Sequence, residues 1–172
     1  MQTDALLTIV ATDRSGLVQT VAAVVSKHGG NWVDSSLTRL GGEFAGIVRV
    51  TIEDSALPNL ADDLAELKAE GIDVSLRKGS DGGAPKGRRA RFELTGGDHP
   101  GIVRDISAAL TKHSVSIDDL QTEVFVGSMS GDALFSAKAN IVIPDDVEDD
   151  TLRAELEEIA HDIMVEFELT SA

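Results

Sequence analysis

One stretch of this chain occurs twice. Asp13–His28 aligns without a gap on Asp98–His113, and six of the sixteen positions are identical, among them Asp13/Asp98, Gly16/Gly101 and His28/His113. Several of the remaining positions exchange one aliphatic residue for another, as Leu17 for Ile102 and Val21 for Ile106 do. Each copy is preceded by a strand-like run and followed by the same order of elements, the mark of a duplicated unit. The fold must therefore be one that about 80 residues can build twice.

In the first copy the nearly continuous apolar run at 5–11 predicts a strand buried on both faces. A helix follows from about Gly16 to His28, with Leu17, Val21, Val24, Val25 and His28 on one stripe, and Gly29-Gly30 stops it. Strands are expected near 33–40 and 45–53. A second helix is then expected, capped by Ser55, with Pro58 tolerated in its first turn and Gly71 at its end. Residues 72–77 alternate as a closing strand. The second copy repeats the order, with a strand at 90–95, a helix from Ile102 to His113, strands near 117–126 and 133–143 around the turn-forming loop 127–131, a helix capped by Asp149, Asp150 or Thr151, and a strand at 165–169. Two βαβ crossovers around a hairpin give the ferredoxin-like α+β fold, a four-stranded antiparallel sheet with both helices on one face. The expected division is 1–79 and 89–172, joined by a Gly-rich, basic linker at 80–88.

Composition narrows the chemistry. The chain has no cysteine, which removes disulfides, thiolate metal sites and thiol nucleophiles. Its four histidines lack metal-site spacing, and it has no catalytic nucleophile motif and no dinucleotide fingerprint. No catalytic residue, metal or cofactor is expected. A net charge of −15 opposes binding to a phosphate backbone, so no direct nucleic-acid role is expected. Without a basic leader or an 18-residue apolar run, a cytoplasmic protein with no membrane contact is expected. The basic residues Lys86, Arg88, Arg89 and Arg91 read as solvated linker charge, Trp32 as core or interface packing, and the acidic run 145–150 as a solvated turn.

The suggestive element is the turn into the first helix of each copy, Asp13-Arg14-Ser15-Gly16 and Asp98-His99-Pro100-Gly101. Unpaired N–H groups at a helix start favour a carboxylate, glycine permits close approach, and the aspartate offers an oxygen to an ammonium group. These groups complement a free α-amino acid. Such turns also serve simply as helix entries. His28 and His113 read as helix C-terminal groups that cap carbonyls or pack, rather than as an acid/base pair.

The Asp-x-x-Gly-[Leu/Ile]-Val turn, the helix ending in His and the following Gly30-Asn31-Trp32 resemble the ACT domain, over about 4–78 and 89–170. The plan of two such units resembles the glycine cleavage system transcriptional repressor family. The resemblance implies a non-catalytic regulatory protein and a small amino acid, glycine- or serine-like, bound at an interface between ACT domains. It further implies a protein partner such as a transcriptional regulator, and a homodimer. It places Asp13, Arg14, Ser15, Gly16, Leu17 and Asn31 at one site and Asp98, His99, Pro100, Gly101, Ile102 and Ser116 at its counterpart. Ser116 stands where the first copy has Asn31, so the first site carries the greater weight. The alternatives are a regulatory subunit or relic of an amino-acid-metabolising enzyme, and a structural adaptor without a ligand.

Overall fold

A computed structural model describes residues 1–79, 83–129 and 131–171. Ser80, Asp81 and Gly82 of the expected linker, Ser130 of the loop 127–131 and the terminal Ala172 lie outside the described residues. The chain divides into two compact units, Met1–Gly82 and Gly83–Ala172.

The first unit runs β1 (Gln2–Thr12), α1 (Leu17–Lys27), β2 (Asn31–Leu40), β3 (Glu43–Glu53), α2 (Leu57–Glu66) and β4 (Ile72–Lys78). Its sheet has the order β2-β3-β1-β4, with every neighbouring pair antiparallel. The second unit runs β5 (Arg88–Gly97), α3 (Ile102–Lys112), β6 (Ser116–Val126), β7 (Ala133–Ile143), α4 (Asp149–Asp162) and β8 (Val165–Ser171), in the order β6-β7-β5-β8. Both units are the βαββαβ arrangement the repeat requires. Even an irregularity is shared, because the edge strands slip register between Trp32 and Asp34 and between Ile117 and Asp119, one repeat apart.

Alternation along the strands decides which face is buried. Ala5, Leu7, Ile9 and Ala11 of β1 meet Leu17, Val21 and Val25 of α1 and Leu60 and Leu64 of α2 in one core. In the second unit Ala90, Phe92 and Leu94 meet Ile102, Ile106 and Leu110 of α3 and Leu152 and Leu156 of α4. Phe92 and Phe167 stack across β5 and β8 with ring centroids 5.8 Å apart. Each helix pair covers one face of its sheet. The other face carries different chemistry in the two units, with Leu6 and Ile47 in the first where Arg91 and Lys138 stand in the second.

Three local expectations are corrected. Ser55 does not cap α2, which is entered through a 3₁₀ turn at Asp54–Ala56 and has Ala56 at its N-cap. None of Asp149, Asp150 and Thr151 caps α4: Glu148 holds the N-cap position without a side-chain bond, while the Asp149 carboxylate is taken by Arg88 Nε at 3.1 Å. Arg88 is likewise no linker charge. It opens β5 and donates through its two Nη groups to the carbonyls of Pro144 (3.1 Å) and Val147 (2.6 Å), tying down the turn that leads into α4. Arg89 and Arg91 also belong to β5. Their positive charge is thus part of a sheet, drawn there by strand alternation.

The β2–β3 hairpin depends on Gly46. A methyl group at this position would stand 2.0 Å from the Ser36 carbonyl oxygen and 2.7 Å from Leu37 Cα, both backbone atoms. Gly46→Ala must push β2 aside, and overpacking of this kind costs about 1–3 kcal/mol. Urea unfolding of the variant should show that loss at an unchanged slope.

Candidate functional site

The turn from β1 into α1 reverses the chain within four residues, and Gly16 makes the reversal in the left-handed region (φ 86°). The second copy uses Gly101 in the same way (φ 102°). Neither α1 nor α3 has a side-chain cap, so the first-turn N–H groups are left without a side-chain acceptor. The helix interior takes over at Thr20, whose N–H donates to the Gly16 carbonyl at 2.9 Å.

The two turns differ in what stands over the glycine. At Gly16 an added methyl group would meet no atom within 4 Å. At Gly101 it would meet Arg104 Nη2 at 3.0 Å and Asp105 Oδ2 at 3.5 Å. Asp105 occupies the first turn of α3 and accepts from Arg104 Nε at 2.7 Å. Its carboxyl is held below the usual range chiefly by that hydrogen bond, with the Arg104 and His99 charges adding to it. The first copy has Thr20 here, a neutral side chain that bonds back to the Gly16 carbonyl at 3.1 Å. The first helix start is open, and the second is covered by the chain's own ion pair.

Asp13, Arg14, Ser15 and Leu17, and Asp98, His99, Pro100 and Ile102 in the second copy, lie in these turns or at the first residue of the helix that follows. Asp13 is half-buried and accepts from Arg39 Nε of β2 at 2.6 Å, so its carboxylate already has a cation. Val124 stands one repeat away from Arg39, and Asp98 makes no ion pair among the described residues. Arg14 reaches the Glu70 carbonyl at 3.4 Å, at the end of the helical segment that follows α2. His99, its counterpart, donates from Nε2 to the Ile163 carbonyl at 2.9 Å and from Nδ1 to the Pro100 carbonyl at 3.2 Å. Both ring nitrogens can donate at once only when the imidazole is protonated, so the two carbonyls favour its charged form. Accordingly the imidazole pKa is raised, first by the bond to Ile163 and then by that to Pro100. Ser15 and Pro100 are exposed, whereas Leu17 and Ile102 are buried and anchor the helix starts in the cores.

Asn31 and Ser116 lie elsewhere in their own units. Asn31 opens β2 level with Thr51 and Asp4, while Gly16 follows the far end of β1. Eight residues of strand separate Asp4 from Thr12, about 26 Å at ~3.3 Å per residue. Ser116 stands level with Val142 and Arg89, equally far from Gly101. One unit cannot bring its own glycine turn and its own Asn31 to the same small molecule.

The histidines at the helix ends do not cap carbonyls through their rings. His28 Nε2 donates to Asp63 of α2 at 2.8 Å, and Lys27 Nζ donates to the same oxygen at 2.5 Å. His113 and Lys112 grip Glu155 of α4 in the same way, at 2.5 and 2.8 Å. Each unit thus pins its two helices together through a Lys-His pair and one acid. Hydrogen bonds from the lysine first and the histidine second hold Asp63 and Glu155 below the usual carboxylate range. The sequence showed the Lys-His pair twice but offered no signal for its acid, which lies more than 30 residues away. Arg39, Thr20, Arg104 and Asp105 were missed for a similar reason. They matter through what they touch, and no motif marks them.

A model of the ACT domain matches residues 3–77 and 92–170. No curated protein matches the chain. Among solved structures, that of an unknown protein from Galdieria sulphuraria is 23% identical with a TM-score of 0.84, covering 100% of this chain and 99% of that one. A candidate glycine cleavage system transcriptional repressor is 16% identical with a TM-score of 0.77, covering 100% of this chain and 98% of that one. These likenesses extend over both units and show the fold. Among the described residues no helix is long and apolar enough to cross a membrane, and no three His, Asp or Glu side chains converge as a metal site would need.

The pinned carboxylates and His99 respond to pH with opposite signs. Asp63 and Glu155 have lowered values, so what they contribute is complete above the ordinary carboxylate range, about pH 4, and is lost as pH falls through their folded values. His99 has a raised value, so its contribution is complete below about pH 6.5 and is lost as pH rises through its folded value. Thermal melts should show a flatter acid limb in Asp63→Asn/Glu155→Gln, and a flatter slope above about pH 6.5 in His99→Gln.

Proposed function

Because this chain belongs to the ACT domain family over both of its units, we propose that it is a non-catalytic regulatory protein that binds a small α-amino acid between ACT units and modulates a protein partner. The observation that carries this reading is the start of α1: a helix with no side-chain cap, entered through a glycine that no neighbouring atom covers. First-turn N–H groups at the positive end of a helix dipole suit the ligand carboxylate. The Asp13–Arg39 pair beside them supplies both signs of charge for a zwitterion.

The distance between Gly16 and Asn31 within a unit fits the same reading. A ligand that uses both must take the turn from one unit and the asparagine from another, so binding and association are coupled. A ligand held in this way shifts an assembly by as much as it prefers one arrangement over the other. A homodimer supplies such a partner unit by symmetry. Glycine or serine is proposed from the likeness to a candidate glycine cleavage system transcriptional repressor. The full-length likeness to a candidate glycine cleavage repressor is the ground for proposing a transcriptional regulator as the partner, with this chain acting on protein rather than on DNA. Its charge of −15 agrees with that division of labour.

Calorimetric titration of the intact protein with glycine, serine and larger amino acids tests this. Saturable binding of a small amino acid at millimolar concentration or below is expected. Asn31→Ala should weaken it about tenfold, the value of one lost hydrogen bond of ~1.4 kcal/mol. Gly16→Val, whose side chain would occupy the open space, should abolish it. No heat with any amino acid at millimolar concentration would overturn the reading.

A further inference from the structure

The two units do not close their edges alike. In the first, Trp32 of β2 stands opposite Val50 on the helix-facing side of the sheet and packs against the core. In the second, Ile117 takes its place opposite Ile141, and the indole is gone. Phe92 and Leu110, which replace Leu7 and Val25, enlarge the interior, yet both are only 2% exposed and leave the edge unsealed. A crevice of about 350 Å³, counting its open mouth, remains between α3 and the β6–β7 edge.

Its lining defines what it can accept. The walls include Phe92, Leu94, Ile106, Phe135 and Ala137, and Ser107 brings the one hydroxyl among lining residues that are otherwise all apolar. No charged side chain lines it, in a chain with 45 charged Lys, Arg, Asp and Glu residues. A charged group placed there would lose its hydration without a partner. The rim residues Val103, Ile117 and Leu120 are 42%, 39% and 43% exposed, an apolar opening rather than a sealed void. In the first unit Trp32, with Leu37 and Phe44 of the same edge, packs against the core, so apolar side chains of the chain itself cover the corresponding region.

We propose that the second unit binds a small ligand through a compact, uncharged branched aliphatic group, about the size of a leucine side chain, inserted beneath α3 at the β6 edge. The site is distinct from the glycine turn of the first unit and does not rest on the amino-acid reading. It gives the duplicated halves different tasks: the first keeps an open polar turn and a filled edge, and the second a covered turn and an open edge.

Methyl NMR of the full-length protein tests it, with 3-methylbutan-1-ol as the probe because it carries the branched group and no charge. Saturable shifts at the methyls of Ile106, Leu110, Ile117 and Leu120 are expected, with no matching shifts around Trp32. Ile117→Trp, which copies the first unit, should weaken the probe at least tenfold. Val103→Trp, which blocks the mouth from the exposed helix face, should do the same should the first variant fold poorly. Absence of saturation, or shifts that persist in the blocked variants, would overturn the proposal. So would shifts at these methyls that follow protein concentration without probe, since a second copy would then fill the crevice. Glycine titrated alongside keeps the two readings apart, because it reports on the first helix start and should leave these methyls unmoved.

Discussion

Everything distinctive about this protein depends on how a strand is made to turn directly into a helix. Four residues connect β1 to α1, and the reversal works only because Gly16 adopts a left-handed backbone with no side chain to resist it. The same constraint recurs at Gly101. A helix entered in this way has no capping side chain, so its first N–H groups need another acceptor. On the proposed reading, that acceptor at α1 is the ligand carboxylate. The two copies differ at this point, the second with its Arg104–Asp105 ion pair over the glycine and the first with open space.

Duplication followed by divergence explains the remaining contrasts. The structural devices were kept: the paired edge-strand irregularities, the Lys-His grip on the opposite helix, and an Arg14 or His99 side chain that ties the first turn to the end of the second helical segment. These hold each small core together, and each unit needs them. What changed lies where function can be placed. Thr20 became Asp105 at the helix start, Trp32 became Ile117 at the sheet edge, and Leu6 and Ile47 became Arg91 and Lys138 on the face away from the helices.

Much of this was legible in the sequence because the periodicities are strong. Alternation in β3, β4, β5 and β8 and the apolar stripes of the helices gave the element order and the sheet, and the repeated Asp-x-x-Gly turn gave the place of interest. The continuous run 5–11 pointed to burial on both faces, whereas β1 buries one face only and Val10 is 47% exposed. Helix entries were read less well. Ser55 and Asp149 looked like caps by residue type, but a 3₁₀ turn absorbed the first and Arg88 claimed the carboxylate of the second. Propensity names a candidate, and tertiary contacts decide whether it is free to act. The same limit hid Arg39 and Asp105, since their roles depend on pairing across the fold and leave no local pattern. The distance from Gly16 to Asn31 was invisible until strand register was known.

Of the two helix starts, the first is open and the second is closed. Backbone amide spectra of the intact protein during titration with glycine or serine test this most directly. Shifts are expected at the amides of Leu17, Val18 and Gln19 and at the side chain of Asn31, with Ile102, Val103 and Arg104 unmoved. Equal shifts at both helix starts, or none at the first, would contradict it.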